Sequence, residues 1–90
     1  MNCEHFINKS QNLYEKIFNE SIKDSSEYAI FAKGNFNPLR LKIEFELETI
    51  NNELSEQISL NKRKLLCNRR DLLKELEVIL MEYIECNIEQ

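Results

Sequence analysis

Glycine and proline each occur once in ninety residues, histidine once and tryptophan not at all. Each scarcity closes off a class of structure or chemistry. One Gly and one Pro leave little punctuation for tight turns and short strands, so the chain is expected to be mostly helical. The same glycine count excludes a Gly-rich phosphate loop, and a single His removes most histidine-based catalysis and most zinc chemistry. No apolar run approaches the ~20 residues of a membrane span. Met1 to Phe6 show neither the basic start nor the following apolar stretch of a signal peptide. Cys3, Cys67 and Cys86 form no CxxC pair and are odd in number, which predicts free thiols in a reducing compartment and a cytoplasmic location.

What is present is 42% hydrophobic and 31% charged residues, enough for a single small domain over residues 1–90. The formal charge of -4 argues against a dedicated nucleic-acid binder, because phosphate binding normally requires an excess of Lys and Arg.

The firmest local signal is the segment from Lys33 to Pro38, which holds both the only Gly and the only Pro. Gly34 suits the left-handed residue that closes a helix, with Lys33 in the last turn. Asn37 suits a cap and Pro38 the first position of the next helix. Phe36 is expected to anchor the corner or to contact a partner. Upstream, Tyr14, Phe18, Ile22, Ser25, Ala29 and Ala32 recur every three or four residues, predicting an amphipathic helix over about 3–33. Ser21, Asp24, Ser25 and Ser26 make its middle polar and allow a kink.

Downstream of the corner at 34–37, Ile43, Leu47, Ile50, Leu54, Ile58, Asn61, Leu65, Arg69, Leu72, Leu76, Leu80 and Tyr83 follow a rhythm close to 3.67 residues, a nearly straight stripe. Two arrangements fit. One is a helical hairpin whose second helix, 38–88, runs unbroken for ~75 Å, overhangs its partner and demands a coiled-coil dimer or another protein. The other is a three-helix bundle with a turn near Asn61 or Asn68, where Asp71 could cap a last helix. Either is all-α, and the bundle buries the stripe without a second molecule. Five acids from Glu44 to Glu56 precede six bases among residues 61–74, and five acids follow from Glu75 to Glu89. Such blocks bias register without holding a fold, at ~0 to 1 kcal/mol per exposed pair.

Candidate chemistry is sparse. Lys62, Arg63, Lys64, Arg69, Arg70 and Lys74 could meet phosphates or another anionic partner. Helical geometry scatters them and no aromatic interleaves for base stacking, so a nucleic-acid role is disfavoured. Cys3, His5, Cys67 and Cys86 match no zinc module. Ala32, Lys33 and Gly34 resemble the end of the HxxKG element of histidine phosphotransfer domains, but Ile30 stands where the His would be. The carboxylates along 44–56 have no low-dielectric pocket to shift a pKa. No enzyme, cofactor, metal or small-molecule substrate is therefore expected. Leu39, Leu41, Ile43, Phe45 and Leu47 alternate as a strand would, yet on a helix they wrap more than one face, leaving part of the set for a third element or a partner. Ile43, Phe45, Leu47, Ile50, Leu54 and Phe36 are the expected partner-binding residues, in a helix-in-groove mode with acids selecting a basic-rimmed helix.

Leu13 to Ile17, followed by Ala29 to Phe36, resemble the opening of FliT-type flagellar export chaperones, with an LYxxI-like start and an A-K-x-G-[DN]-[WF]-like corner. The family's following RxxL pattern is not reproduced, since Arg40 comes early. The resemblance implies a small, acidic, cytosolic, non-enzymatic helical chaperone shielding a substrate helix. Residue by residue, the expectation is an interaction protein, chaperone or adaptor, with a homodimer or a nucleic-acid regulator as alternatives.

Overall fold

The computed structural model describes residues 3–31 and 35–89. It is all-α: α1 (Glu4–Phe18), a 3₁₀ turn (Ile22–Asp24), α2 (Ser26–Phe31), α3 (Asn37–Leu54) and α4 (Leu60–Glu89). No strand occurs among the described residues. The longest dimension is 47 Å, about what thirty helical residues span at ~1.5 Å each. Helix α4 is the spine, packing along α1 and α3, and α2 lies on α3.

The helix expected over 3–33 is divided, and the polar residues in its middle explain how. Asn19 takes the left-handed conformation (φ 58°) and its N–H bonds back to the Glu15 carbonyl, a closure that Asn accepts more readily than other residues with a Cβ. Gln11 Oε1 then accepts the Ile22 N–H at 3.1 Å, holding the 3₁₀ turn against α1 while Ile22 plugs the core with no exposed surface. Ser25 starts α2, its Oγ accepting the Tyr28 N–H at 3.1 Å and donating to the Ile22 carbonyl at 2.7 Å. A single hydroxyl therefore caps one helix and closes the turn before it.

The unbroken 38–88 helix does not form. The chain turns at 55–59, earlier than Asn61 or Asn68, and the bundle arrangement results. Ser55 Oγ donates to the Asn52 carbonyl at 2.6 Å as α3 ends. Ser59 then accepts the Lys62 N–H at 3.2 Å, an N-cap for α4. Asn61 lies exposed in the first turn of α4, and Asn68 and Asp71 lie within that helix, so Asp71 caps nothing. Pro38 sits in the first turn of α3 as expected. Asn37 is a helical residue there, its N–H donated to Asn35 Oδ1 at 3.2 Å. The expected roles of Lys33 and Gly34 lie outside the described residues.

The core joins all the helical legs: Ile7, Tyr14 and Ile17 from α1, Ile22 from the turn, Leu39, Ile43 and Ile50 from α3, and Leu73, Leu76 and Leu80 from α4. Each such side chain removed from water contributes on the order of 1.5–3 kcal/mol before entropy is subtracted. Cys3 and Cys86 form a disulfide, with Cα atoms 5.9 Å apart. This corrects the free-thiol expectation for two of the three cysteines; Cys67 remains free and half-buried. The physical reason is the antiparallel pairing of α1 with α4, which brings the start of one beside the end of the other. Cysteine usage therefore no longer argues for a reducing compartment, since structural disulfides persist in oxidising ones. No helix among the described residues is long and apolar enough to cross a membrane.

Candidate interaction surface

Helix α3 sorts its apolar residues by helical spacing. Leu39, Ile43 and Ile50 are buried, with Leu47, Leu54 and Phe36 packed partly buried against the same core. Leu41 and Phe45, one turn apart, point the other way and are 55% and 67% exposed. The strand-like alternation from Leu39 to Leu47 thus resolves into two helix faces, one inward and one outward. Of the residues expected to meet a partner, Ile43 and Ile50 are committed to the chain's own core, Leu47, Leu54 and Phe36 flank it, and Phe45 stands free to make contact. Leu41, which the spacing of the core stripe left aside, joins it.

Acids border this ridge. Pro38, Leu41 and Phe45 line a shallow open concavity together with Glu27, Lys42, Glu44, Glu46 and Glu48. Glu44 and Glu48 are exposed and fall three or four residues from Leu41 and Phe45, on the same side of the helix. Arg40 approaches Glu44 at 3.8 Å, a solvent-exposed pair of small energetic weight.

Lys42, the one base among the described residues that line the concavity, is consumed internally. Its Nζ donates to Tyr14 Oη at 2.7 Å and to Glu20 Oε1 at 2.8 Å, and lies 3.7 Å from Glu27 Oε2. Tyr14 Oη in turn donates to Glu20 Oε1 at 3.1 Å. The ammonium also sits 4.5 Å from the centre of the Phe18 ring, within cation–π range. Burial pushes the Lys42 pKa down, but the hydrogen bonds with Glu20 and Tyr14 outweigh it and hold the group above its ordinary value. Burial likewise raises Tyr14, against the pull of Lys42. The Lys42 and Tyr14 hydrogen bonds keep the Glu20 carboxyl below its usual range. This network ties α1, the segment after it, α2 and α3 together, and leaves the net charge around Leu41 and Phe45 negative.

The six bases of the expected cationic cluster do not converge. Lys62, Arg63, Lys64 and Lys74 are exposed on α4, and Arg63 Nη1 donates to the Leu54 carbonyl at 3.3 Å across the hairpin turn. Arg69 instead turns inward, bonding Glu46 Oε2 at 3.2 Å and stacking over Phe18 at 6.0 Å. Arg70 is half-buried beside Cys67, with Nη2 3.9 Å from its Sγ. Spacing places Leu60, Arg63, Lys64, Cys67 and Lys74 on the side of α4 away from the buried Leu73, Leu76 and Leu80.

A second recess, between α3 and α4, is small and apolar, with Phe36, Leu39, Ile43, Leu80 and Met81 in its wall and Arg40 and Glu77 at its edge. It gathers no convergent set of acid, base and nucleophile. Among the described residues no group of three His, Cys, Asp or Glu side chains is placed to hold a metal ion. Sequence reasoning missed the Lys42 network and the Cys3–Cys86 bond. Both depend on which helices become neighbours, and neither leaves a local signature. Compared with known proteins, the chain matches no family model, no curated protein and no solved structure.

Proposed function

We propose that the protein is a non-enzymatic interaction module, an adaptor or chaperone that takes a basic-flanked amphipathic helix on the outward face of α3. One observation carries this: Leu41 and Phe45 expose most of their surface one turn apart, between Glu44 and Glu48 on one side and Glu27 and Glu46 on the other. An apolar pair whose rim is mainly acidic, with its base Lys42 already paired, is the pattern of a helix-docking site, where the apolar residues supply affinity and the rim supplies orientation and rate. Large aromatic side chains are the usual anchors of such sites. The chaperone form of the proposal rests on the resemblance of residues 13–17 and 29–36 to export chaperones, and a cytoplasmic setting goes with that form.

The test is a fluorescence anisotropy titration with a labelled helical peptide carrying Leu on one face and Lys on its flanks. Phe45→Asp should weaken binding by at least about tenfold, ~1.4 kcal/mol, with helicity unchanged because the side chain is exposed. Equal affinity for the variant and the parent would remove this face from consideration.

A further inference from the structure

The geometry points to a second copy of this chain as the occupant of that face, docking the outward side of the first turns of its α4 onto the outward side of α3, a deepening that rests on the function proposed above. The two surfaces match in spacing and oppose in charge. On α3, Leu41, Glu44, Phe45 and Glu48 occupy positions i, i+3, i+4 and i+7, and all four are exposed. On α4, Leu60, Arg63, Lys64 and Cys67 occupy the same four positions, and the first three are exposed, Leu60 at 68%. Each set is therefore one helix face about two turns long, with apolar contact at its start. One carries two acids and the other two bases.

Within a single chain the two faces lie on different helices of the hairpin, and Arg63 reaches across to α3 at its turn, where it bonds the Leu54 carbonyl. Ile43, Ile50 and Leu76 belong to the core that α3 and α4 share, and Leu41, Phe45 and Leu60 are exposed outside it. Joining the acidic face of one copy to the basic face of the next is a head-to-tail contact, in which every copy offers one of each. Such contacts build a ring or an open chain of copies rather than a closed pair. A two-turn contact lies at the small end of specific interfaces, so association depends on concentration. Because opposite charges face each other across it, association also weakens with salt.

Sedimentation equilibrium from micromolar to millimolar protein, with the disulfide intact, tests this. At low salt the average mass should climb above 10.8 kDa with concentration, and return to it at about 0.5 M salt, where charges are screened within roughly 4 Å. Two double variants reverse one face each: Glu44→Lys with Glu48→Lys, and Arg63→Glu with Lys64→Glu. All four positions are exposed, and circular dichroism checks that each variant folds. Each alone should stay monomeric at every concentration, while an equimolar mixture should recover the association of the parent chain. A parent that is monomeric throughout, or a mixture that does not associate, overturns the inference. So does a monomeric parent that binds a single-stranded oligonucleotide through Arg63 and Lys64. If the parent is monomeric yet still binds the Leu/Lys peptide in a Phe45-dependent way, the proposed function stands and only its partner is wrong. If both measurements fail, both fall.

Discussion

The two ends of the molecule are built from the same kinds of residue but hold together differently. Around Cys3 and Cys86, α4 is covered by α1 as well as α3, and Ile7, Leu73, Leu76 and Leu80 are nearly inaccessible. Helix α1 ends at Phe18, which stands beside Arg69. Beyond that point only the tip of the hairpin remains, with Leu60 and Leu65 68% and 70% exposed and the turn held by two serine hydroxyls and Arg63. A third helical leg, more than any difference in composition, separates a sealed end from an open one.

Three measurements would break or sharpen this contrast. The largest effect belongs to the disulfide. Closing a chain over a sequence separation of 83 should stabilise the fold by about 4 to 5 kcal/mol in the chain-entropy model. Denaturant titration of Cys86→Ser against the parent reads that loss, and equal midpoints would show that the sealed end owes nothing to its staple. Next, Leu76→Ala, at a side chain with no exposed surface, should cost about 2 to 5 kcal/mol. Leu65→Ala at the tip should stay within about 0.5 kcal/mol. Equal costs at the two sites would abolish the distinction between the ends.

The smallest effect is the pH dependence of the network joining α1 to α3. Tyr14 and Lys42 both have raised pKa values in the folded protein, so the folded state holds these protons more tightly than the unfolded chain does. Their contribution is complete below their ordinary values of 10.0 and 10.5 and is lost as pH rises through the folded ones. Glu20 has the opposite sign. Its lowered value adds stability above its ordinary 4.5, which disappears as pH falls through the folded pKa. Denaturant midpoints should therefore drop at alkaline pH in the parent, and drop less in Tyr14→Phe, whose ring cannot ionise. An identical alkaline drop in the variant would exclude Tyr14 as a source.

Much of the fold was legible in the sequence because it rests on periodicity. Tyr14 and Ile22 of the first stripe, and Ile43, Ile50, Leu76 and Leu80 of the second, face the core as their spacing predicts, whereas Ala29, Asn61 and Leu65 of the same stripes are exposed. The turn at 55–59 was harder to read. Asn was the expected breaker, but the signal was Ser59 capping through the Lys62 N–H, with no Glu at that third position to complete a capping box. The disulfide, the bonds of Lys42 to Tyr14 and Glu20, and the inward turn of Arg69 are all contacts between residues more than twenty positions apart. Each becomes visible only when two helices are already known to be neighbours. The candidate surface lay between these cases. The alternating segment points to Phe45, but spacing alone groups Ile43 and Ile50 with it, because the two faces of α3 separate only once the neighbouring helices are in place.

The Cys3–Cys86 bond also determines how the molecule would bear a load. Tension applied through the chain outside these two residues passes directly from one sulfur to the other, across Cα atoms 5.9 Å apart. The bundle between them forms a slack loop hanging from that link. A partner tugging on either end would stretch a covalent bond and leave the Leu41 and Phe45 surface undistorted, whereas after reduction the same pull would begin by peeling α1 from α4.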